Sequence, residues 1–215
     1  MPAPLKRKHF YVLEKHYTDL AVRCLPTLAK TGLTPNQVTI ANLINGLVIM
    51  AAIAAHQYLL AAILTQLYLF LDILDGNLAR YREMSTRLGA ILDKIGDRFF
   101  YNGVMVVLGL ATPVHWGWIV LFLLAHNLHS IAATFYIVPA IRTMPSFRRF
   151  GLKKTWMAHG YILGMDLSTQ DLLLSVLIVT PGRVWILPAA TILYLVDLIY
   201  RLIELELNRR LEPAA

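Results

Sequence analysis

At 215 residues, 57% hydrophobic and only 15% charged, the chain is too apolar for a soluble domain of its size, and it carries apolar runs near twenty residues long. These features imply one polytopic membrane domain with no room for a soluble accessory domain, and the lone Cys24 excludes an intrachain disulfide and argues against a structural metal cluster. The net charge of +7 is clustered, with six Lys and Arg before residue 34, five in 80–98 and five in 142–154, which suits anionic lipid headgroups; nucleic-acid binding is the poorer reading of the same charge, because no basic stretch is interleaved with exposed aromatics on a soluble fold.

Lys6-Arg7-Lys8 resembles the start of a signal peptide, but Glu14, Lys15, His16, Asp19 and Arg23 interrupt the apolar core that a signal peptide needs, so a cleaved signal is rejected. Phe10, Leu13, Tyr17, Leu20 and Cys24 recur instead at helical spacing and predict an amphipathic helix lying in the membrane interface within residues 1–33. Gly32-Leu33-Thr34-Pro35 then reads as a turn into a helix, Thr34 being the N-cap and Pro35 the first helical residue. That first span runs to about residue 56, with Asn36, Thr39, Asn42 and Asn45 on the side turned to the bundle interior.

A second span is expected over about 58–80 and a third from near Thr86 to Thr112-Pro113, with Trp116 and Trp118 marking the outer interface. A fourth comes next, over about 117–141; on it His126 and His129 share a face, and interhelical polar packing is the favoured reading over a ligand role, since no third zinc ligand accompanies them. The loop 142–154 is basic, and is either solvated or part of an acceptor pocket. A helix over 156–180 would strand Asp166, Ser168, Thr169, Gln170 and Asp171 in mid-membrane, so a short fifth span from about 169 to 181 is preferred, capped by Asp166 or Ser168. The sixth runs over about 184–205, with a kink expected at Pro188 and an Asp197–Arg201 pair inside the bundle. The prediction is therefore an all-α fold: an N-terminal segment at 1–33, a six-span domain at 34–207 and a loose polar tail at 208–215. The distribution of Lys and Arg puts both termini and the connection at 80–88 on the cytoplasmic side.

The chemistry concentrates in Asp72 to Asp97. On a helix, Asp72, Asp75, Gly76 and Ala79 fall on one face, as do Gly89, Asp93 and Asp97 on the next. Two helices joined through 81–88 bring those faces together. Four converging carboxylates near lipid repel one another unless cations neutralise them, and hard divalent ions with oxygen ligands, Mg²⁺ or Mn²⁺, answer that need. Arg80 offers a planar fork of donors suited to phosphate, with the Thr86 hydroxyl beside it. Glycines at 76 and 89 leave room against the helices. Helix caps and surface ion pairs would explain the charge but not the glycines and alanine on the carboxylate faces.

The pattern Asp72-x2-Asp75-Gly76-x2-Ala79-Arg80-x8-Gly89-x3-Asp93-x3-Asp97 matches, position for position, the signature of the CDP-alcohol phosphotransferase family, and Thr34–Thr39 resembles a common opening of that family's first membrane helix. The resemblance implies a membrane transferase that moves a phosphate-linked group from a CDP-activated donor to an alcohol hydroxyl and releases CMP, using two metal ions. It implies Asp72, Asp75 and Asp93 as principal metal ligands and Asp97 as proton acceptor also touching one metal. The symmetry of the two helices alone does not choose between Asp93 and Asp97. Gly76, Ala79, Arg80, Thr86, Gly89, Asn36 and Thr39 are the implied donor-binding residues.

CDP-diacylglycerol is the donor in most of the family, and CDP-choline or CDP-ethanolamine acting on diacylglycerol is the alternative. Inositol-phosphate enzymes tend to carry arginines at the start of helix five and in helix six, where this chain has Gln170, Asp171 and Asp197 with Arg201 a turn on, which weakens that assignment. A homodimer and a bacterial or archaeal cell membrane are also implied. Two other classes compete: an intramembrane prenyltransferase, which does not need the Gly-x2-Ala-Arg spacing, and a cation-binding transporter, which does not need Arg80.

Overall fold

The computed structural model describes residues 9–211, and among them all regular structure is helical. Helix α1 covers Val12–Leu28, α2 Pro35–Ala54, α3 Tyr58–Tyr81, α4 Arg87–Ala111 and α5 Gly117–Ala132. A π-turn at Ala133–Ile137 leads into α6 at Val138–Thr143; α7 at Gly151–Ala158, α8 at Leu167–Ile178, a 3₁₀ turn at Pro181–Trp185 and α9 at Ile186–Leu211 complete the chain.

The ends of these helices follow from local chemistry. Thr34 caps α2 in a reciprocal box, its hydroxyl accepting from the Gln37 N–H at 3.4 Å while the Gln37 side chain accepts from the Thr34 N–H at 2.9 Å. Thr86 caps α4 through the Gly89 N–H at 3.0 Å, and Asp166 caps α8 through the Thr169 N–H at 3.0 Å. The expected fourth span holds over its length but carries the π-turn where Pro139, lacking an N–H, interrupts the α-helical ladder.

Four helices are long and apolar enough to cross a membrane: Pro35–Ala54, Tyr58–Tyr81, Gly117–Thr143 and Pro181–Leu211. The surface is as apolar as that requires, with Ile63, Leu110, Leu124 and Phe135 between 60% and 77% exposed, so the protein is a membrane protein whose outer face is solvated by lipid. Its interior mixes aromatic packing with polar groups. Tyr68 of α3 stacks on Phe100 of α4 at 3.7 Å between ring centres, and Asn42 and Asn45 of α2 donate to the backbone carbonyls of Tyr68 and Leu64 on α3, both at 3.1 Å. Those two asparagines thus meet a neighbouring helix, as their shared face suggests.

Several details differ from the sequence expectation. Helix α1 begins at Val12, after a bridge that pairs Phe10 with Tyr161, and residues 1–8 with Lys6-Arg7-Lys8 lie outside the described residues. Its packed face is Thr18, Ala21 and Leu25, which meets Leu74 and Leu78 of α3, while Leu20 of the predicted face is 46% exposed. Small side chains at 18 and 21 let the two helices approach closely, and hydropathy alone does not report that. Helix α9 continues to Leu211, because Asn208 is buried and clamps the 142–154 connection, donating to the Arg148 carbonyl at 2.9 Å and accepting from its N–H at 2.8 Å. Pro188 lies in the first turn of α9, where a missing N–H breaks no helical bond, and the helix runs on through it.

Candidate metal and nucleotide site

The turn 82–86 folds α4 back along α3, with Glu83 in the left-handed region at φ 55° and Arg82 donating to the Leu33 carbonyl at 2.7 Å. The register that results is symmetric: Asp75 lies six residues before the last residue of α3, and Asp93 six after the first of α4. Both are thus roughly 9 Å from the turn at 1.5 Å per residue. Carboxylate oxygens of Asp72, Asp75 and Asp93 lie within 4.8 Å of one another. Asp97 is not in that group of three; it accepts from the Tyr68 hydroxyl at 3.3 Å. Thr39 of α2 donates to Asp75 Oδ2 at 2.7 Å, which fixes that carboxylate from a third helix.

Among the described residues no Lys, Arg or His forms an ion pair with any of the four aspartates. Three converging carboxylates without a protein cation make an all-oxygen donor set of the kind that hard divalent ions occupy, so the residues present fit Mg²⁺ or Mn²⁺.

Beside them opens a cavity of about 200 Å³. From α2 it is lined by Asn36 and Thr39, from α3 by Asp75, Gly76, Ala79 and Arg80, and from the start of α4 by Thr86, Gly89 and Asp93. All seven residues expected to bind the donor therefore share one cavity with two of the aspartates. The Arg80 guanidinium lies over Gly76, 3.6 Å from where a β-carbon would stand. At Gly89 a β-carbon would come within 3.0 Å of both Asn36 Oδ1 and Thr86 Oγ1, so this glycine lets α4 close on α2 at the cavity wall.

A second polar cluster sits among α5, α7 and α9, and only one of its pairs was legible in the sequence. Asp197 Oδ1 accepts from Lys153 Nζ at 2.7 Å, and its Oδ2 accepts from Arg201 Nε at 2.5 Å and is 2.8 Å from His129 Nε2. Burial pushes the Lys153 ammonium below the ordinary lysine range, and its bond to Asp197 pulls the other way. Arg149 pairs with the buried Glu204 at 2.5 Å, and Arg201 Nη2 donates to the Tyr11 hydroxyl at 3.2 Å. His126 is 3.2 Å from Asn102 Oδ1, so both histidines are interhelical polar residues. Asp171 of α8 is wholly buried, with Oδ2 accepting from the Tyr101 hydroxyl at 2.8 Å and Oδ1 without a hydrogen-bond partner among the described residues.

Comparison with known proteins bears on this arrangement. The family model described as CDP-alcohol phosphatidyltransferase matches residues 32–200. The archaetidylinositol phosphate synthase of Pyrococcus horikoshii is 34% identical over 90 residues, 42% of this chain and 48% of that protein. The inner membrane protein YnjF of Escherichia coli is 36% identical over 101 residues, 47% of this chain and 48% of that one. The chain thus spans under half the length of these relatives. Crystal structures of Mycobacterium tuberculosis phosphatidylinositol phosphate synthase share the fold at 18% identity and a TM-score of 0.57: one with CDP-DAG bound covers 88% of this chain and 92% of its own, and one with manganese and citrate covers 88% of each.

Proposed function

The chain belongs to the CDP-alcohol phosphatidyltransferase family, and on that premise we propose that it is a metal-dependent membrane transferase that moves a phosphatidyl-type group from a CDP-linked lipid to an alcohol hydroxyl, with CMP leaving. The observation that carries the reading is the convergence of Asp72, Asp75 and Asp93 at one wall of the cavity that also holds Arg80. The lipid donor is supported by the CDP-DAG bound in the mycobacterial structure.

Asp72, Asp75 and Asp93 would hold the ions, two Mg²⁺ or Mn²⁺ in this reading, with Asp97 as a further carboxylate beside them. When bound there, divalent ions would supply charge stabilisation to the pyrophosphate. Thr39 keeps Asp75 in its rotamer through the 2.7 Å bond. Arg80 grips a phosphate through its fork of donors, and the bare backbone at Gly76 and Gly89 gives the nucleotide room beside Asn36 and Ala79. Asp97, held by Tyr68, takes the proton of the acceptor hydroxyl. The acceptor oxygen then bonds to the lipid-linked phosphorus, the bond from that phosphorus to the bridging oxygen breaks, and the electron pair leaves on CMP.

The membrane part of the reading is six spans, adding α4 and α8 to the four long apolar helices, with α1 in the cytoplasmic interface. Lys and Arg at 80–98 and 142–154 support an aspartate site on the cytoplasmic side. A homodimer is included on the resemblance alone. The test is purified protein in lipid with Mn²⁺, assayed for CMP release across CDP-linked donors and alcohols. Release should vanish on chelation and return with Mg²⁺ or Mn²⁺; release that survives thorough metal removal would refute the reading.

A further inference from the structure

Away from the aspartate site and the cluster around Asp197, unpaired charge stands on the outer face of α4. Lys94 and Arg98 are both exposed and four residues apart, which puts them on one side of the helix. Among the described residues neither forms an ion pair. Arg98 follows Asp97 directly, so it lies at the depth of the aspartates, turned about 100° around the helix from Asp97.

Neutral groups of α5 hold the guanidinium in place. Nη1 donates to Asn127 Oδ1 at 3.3 Å and Nη2 to Ser130 Oγ at 2.8 Å. Asn102, one turn further along α4, donates to the Arg98 carbonyl at 2.8 Å and accepts from Asn127 Nδ2 at 2.9 Å, which leaves the Asn127 oxygen to Arg98. The other N–H groups of the guanidinium have no acceptor among the described residues. Apolar side chains flank the pair: Ile95 is 63% exposed and Phe99 58% on α4, and Leu128 53% on α5.

With α4 in the bilayer this arrangement is costly as it stands. A guanidinium at the lipid face calls for a counter-charge, and Asn127 and Ser130 bring none. Like charges four residues apart on a helix also repel each other. Bulk water does not reach the hydrocarbon to relieve either cost. A lipid can, because it carries a phosphodiester anion and acyl chains together, the anion matching Lys94 and Arg98 and the chains matching the apolar side chains that flank them. A two-fold contact with a second copy, centred on this face, would instead set the same two cations against each other, and α5 has no Asp or Glu to separate them.

We propose, resting on the membrane placement of α4 and not on the reaction, that Lys94 and Arg98, with Asn127 and Ser130, form a lateral site for the phosphodiester of an anionic phospholipid whose headgroup has no cation of its own. The site is distinct from the donor cavity, which none of these four residues lines.

The experiment uses the full-length protein, delipidated in detergent and titrated with phosphatidylglycerol or with phosphatidylcholine of the same acyl chains. Native mass spectrometry reads the bound lipid for the wild type, Arg98→Gln, Lys94→Gln and the double variant. A Lys or Arg near the membrane surface contributes about 5-fold to affinity for an anionic lipid. The wild type should therefore hold phosphatidylglycerol ~10-fold or more tighter than phosphatidylcholine, each single variant should lose about 5-fold of that preference, and the double variant should have little left. Thermal midpoints check the fold. In phosphatidylcholine alone the variants should be at least as stable as the wild type, since they shed an unpaired charge, whereas phosphatidylglycerol should raise the midpoint of the wild type only. A phosphatidylglycerol preference that persists in the double variant overturns the proposal. So does an equal rise in midpoint with inorganic phosphate, which would make this an aqueous anion site. A dimer that Arg98→Gln dissociates, with no lipid preference in the wild type, would give the face to a second copy and overturn it as well. Maleimide labelling of Ser85→Cys and His115→Cys from one side would defeat the placement of α4 and the proposal with it; lost preference with labelling from opposite sides defeats the proposal alone.

Discussion

Asp97 and Asp93 share a helix face one turn apart, yet their surroundings differ: Asp93 joins Asp72 and Asp75 within 4.8 Å, and Asp97 is held by Tyr68. That difference makes a division of labour testable. Asp97→Asn keeps size and hydrogen bonding but cannot accept a proton, so turnover should fall by ~10²–10⁴-fold while donor affinity holds. Asp75→Asn should weaken donor binding and turnover together; calorimetry with a CDP donor and Mg²⁺, beside CMP release, measures both. Equal loss of donor binding in the two variants would make Asp97 one more ligand and leave the base elsewhere. Arg80→Lys keeps charge but loses the fork, and donor affinity should drop about 10-fold, the order of one charge-assisted hydrogen bond. What the sequence displayed at this scale was set by spacing within one helix. Thr39–Asp75, His129–Asp197 and Lys153–Asp197 join residues 36, 68 and 44 positions apart, and no periodicity announces them. Only Asp197–Arg201, an i,i+4 pair, could be seen in advance.

The site depends on three helices meeting at one level, and the glycine at 89 governs one of the contacts. Gly89→Val should leave the bundle folded, since the nearest groups are the side-chain oxygens of Asn36 and Thr86 at the cavity rim. Overpacking of this kind typically costs ~1–3 kcal/mol of stability, so the thermal midpoint should fall by several degrees, and the filled wall should lower donor affinity by about 10-fold or more. Unaltered donor binding would mean that the nucleotide does not lie against this wall. The helices themselves were legible wherever a cap or a breaker stood at the right place: Thr34-Pro35, Thr86 and Asp166 each begin a helix as expected. The π-turn before Pro139 and the extra length of α9 were not. The first depends on how a helix absorbs a missing donor, and the second on Asn208 finding Arg148 across 60 residues.

For the molecule as a whole, the open physical question is α8. Its twelve residues rise only ~18 Å, against a hydrocarbon core of about 30 Å, yet the proposed inside orientation needs it to cross. The flanking segments can make up part of the length. Residues 161–166, irregular and bent at Gly164, lead into α8 from an extended Asp166, with Met165 3% exposed, and the turn at Pro181–Trp185 joins it to α9 on the other side. Non-helical backbone covers at most ~3.3–3.6 Å per residue, so the flanking residues shorten the gap and thinning of the bilayer closes the rest. Alternatively α8 re-enters the side it left, and α9 then crosses in the opposite sense. Single cysteines at Ser85, Ser146, His115 and Thr180, in a Cys24→Ser background, separate these outcomes. With intact cells and a membrane-impermeant maleimide, His115 and Thr180 should label and Ser85 and Ser146 should not; after the membrane is opened, all four should. If Thr180 behaves like Ser146, α8 does not span. The count of crossings is then odd, and the Lys and Arg distribution that orients the rest of the chain fails to orient its last two helices. Labelling of Ser85 in intact cells would be the graver result, because it would put the aspartates on the side opposite the one that the basic connections at 80–98 and 142–154 require.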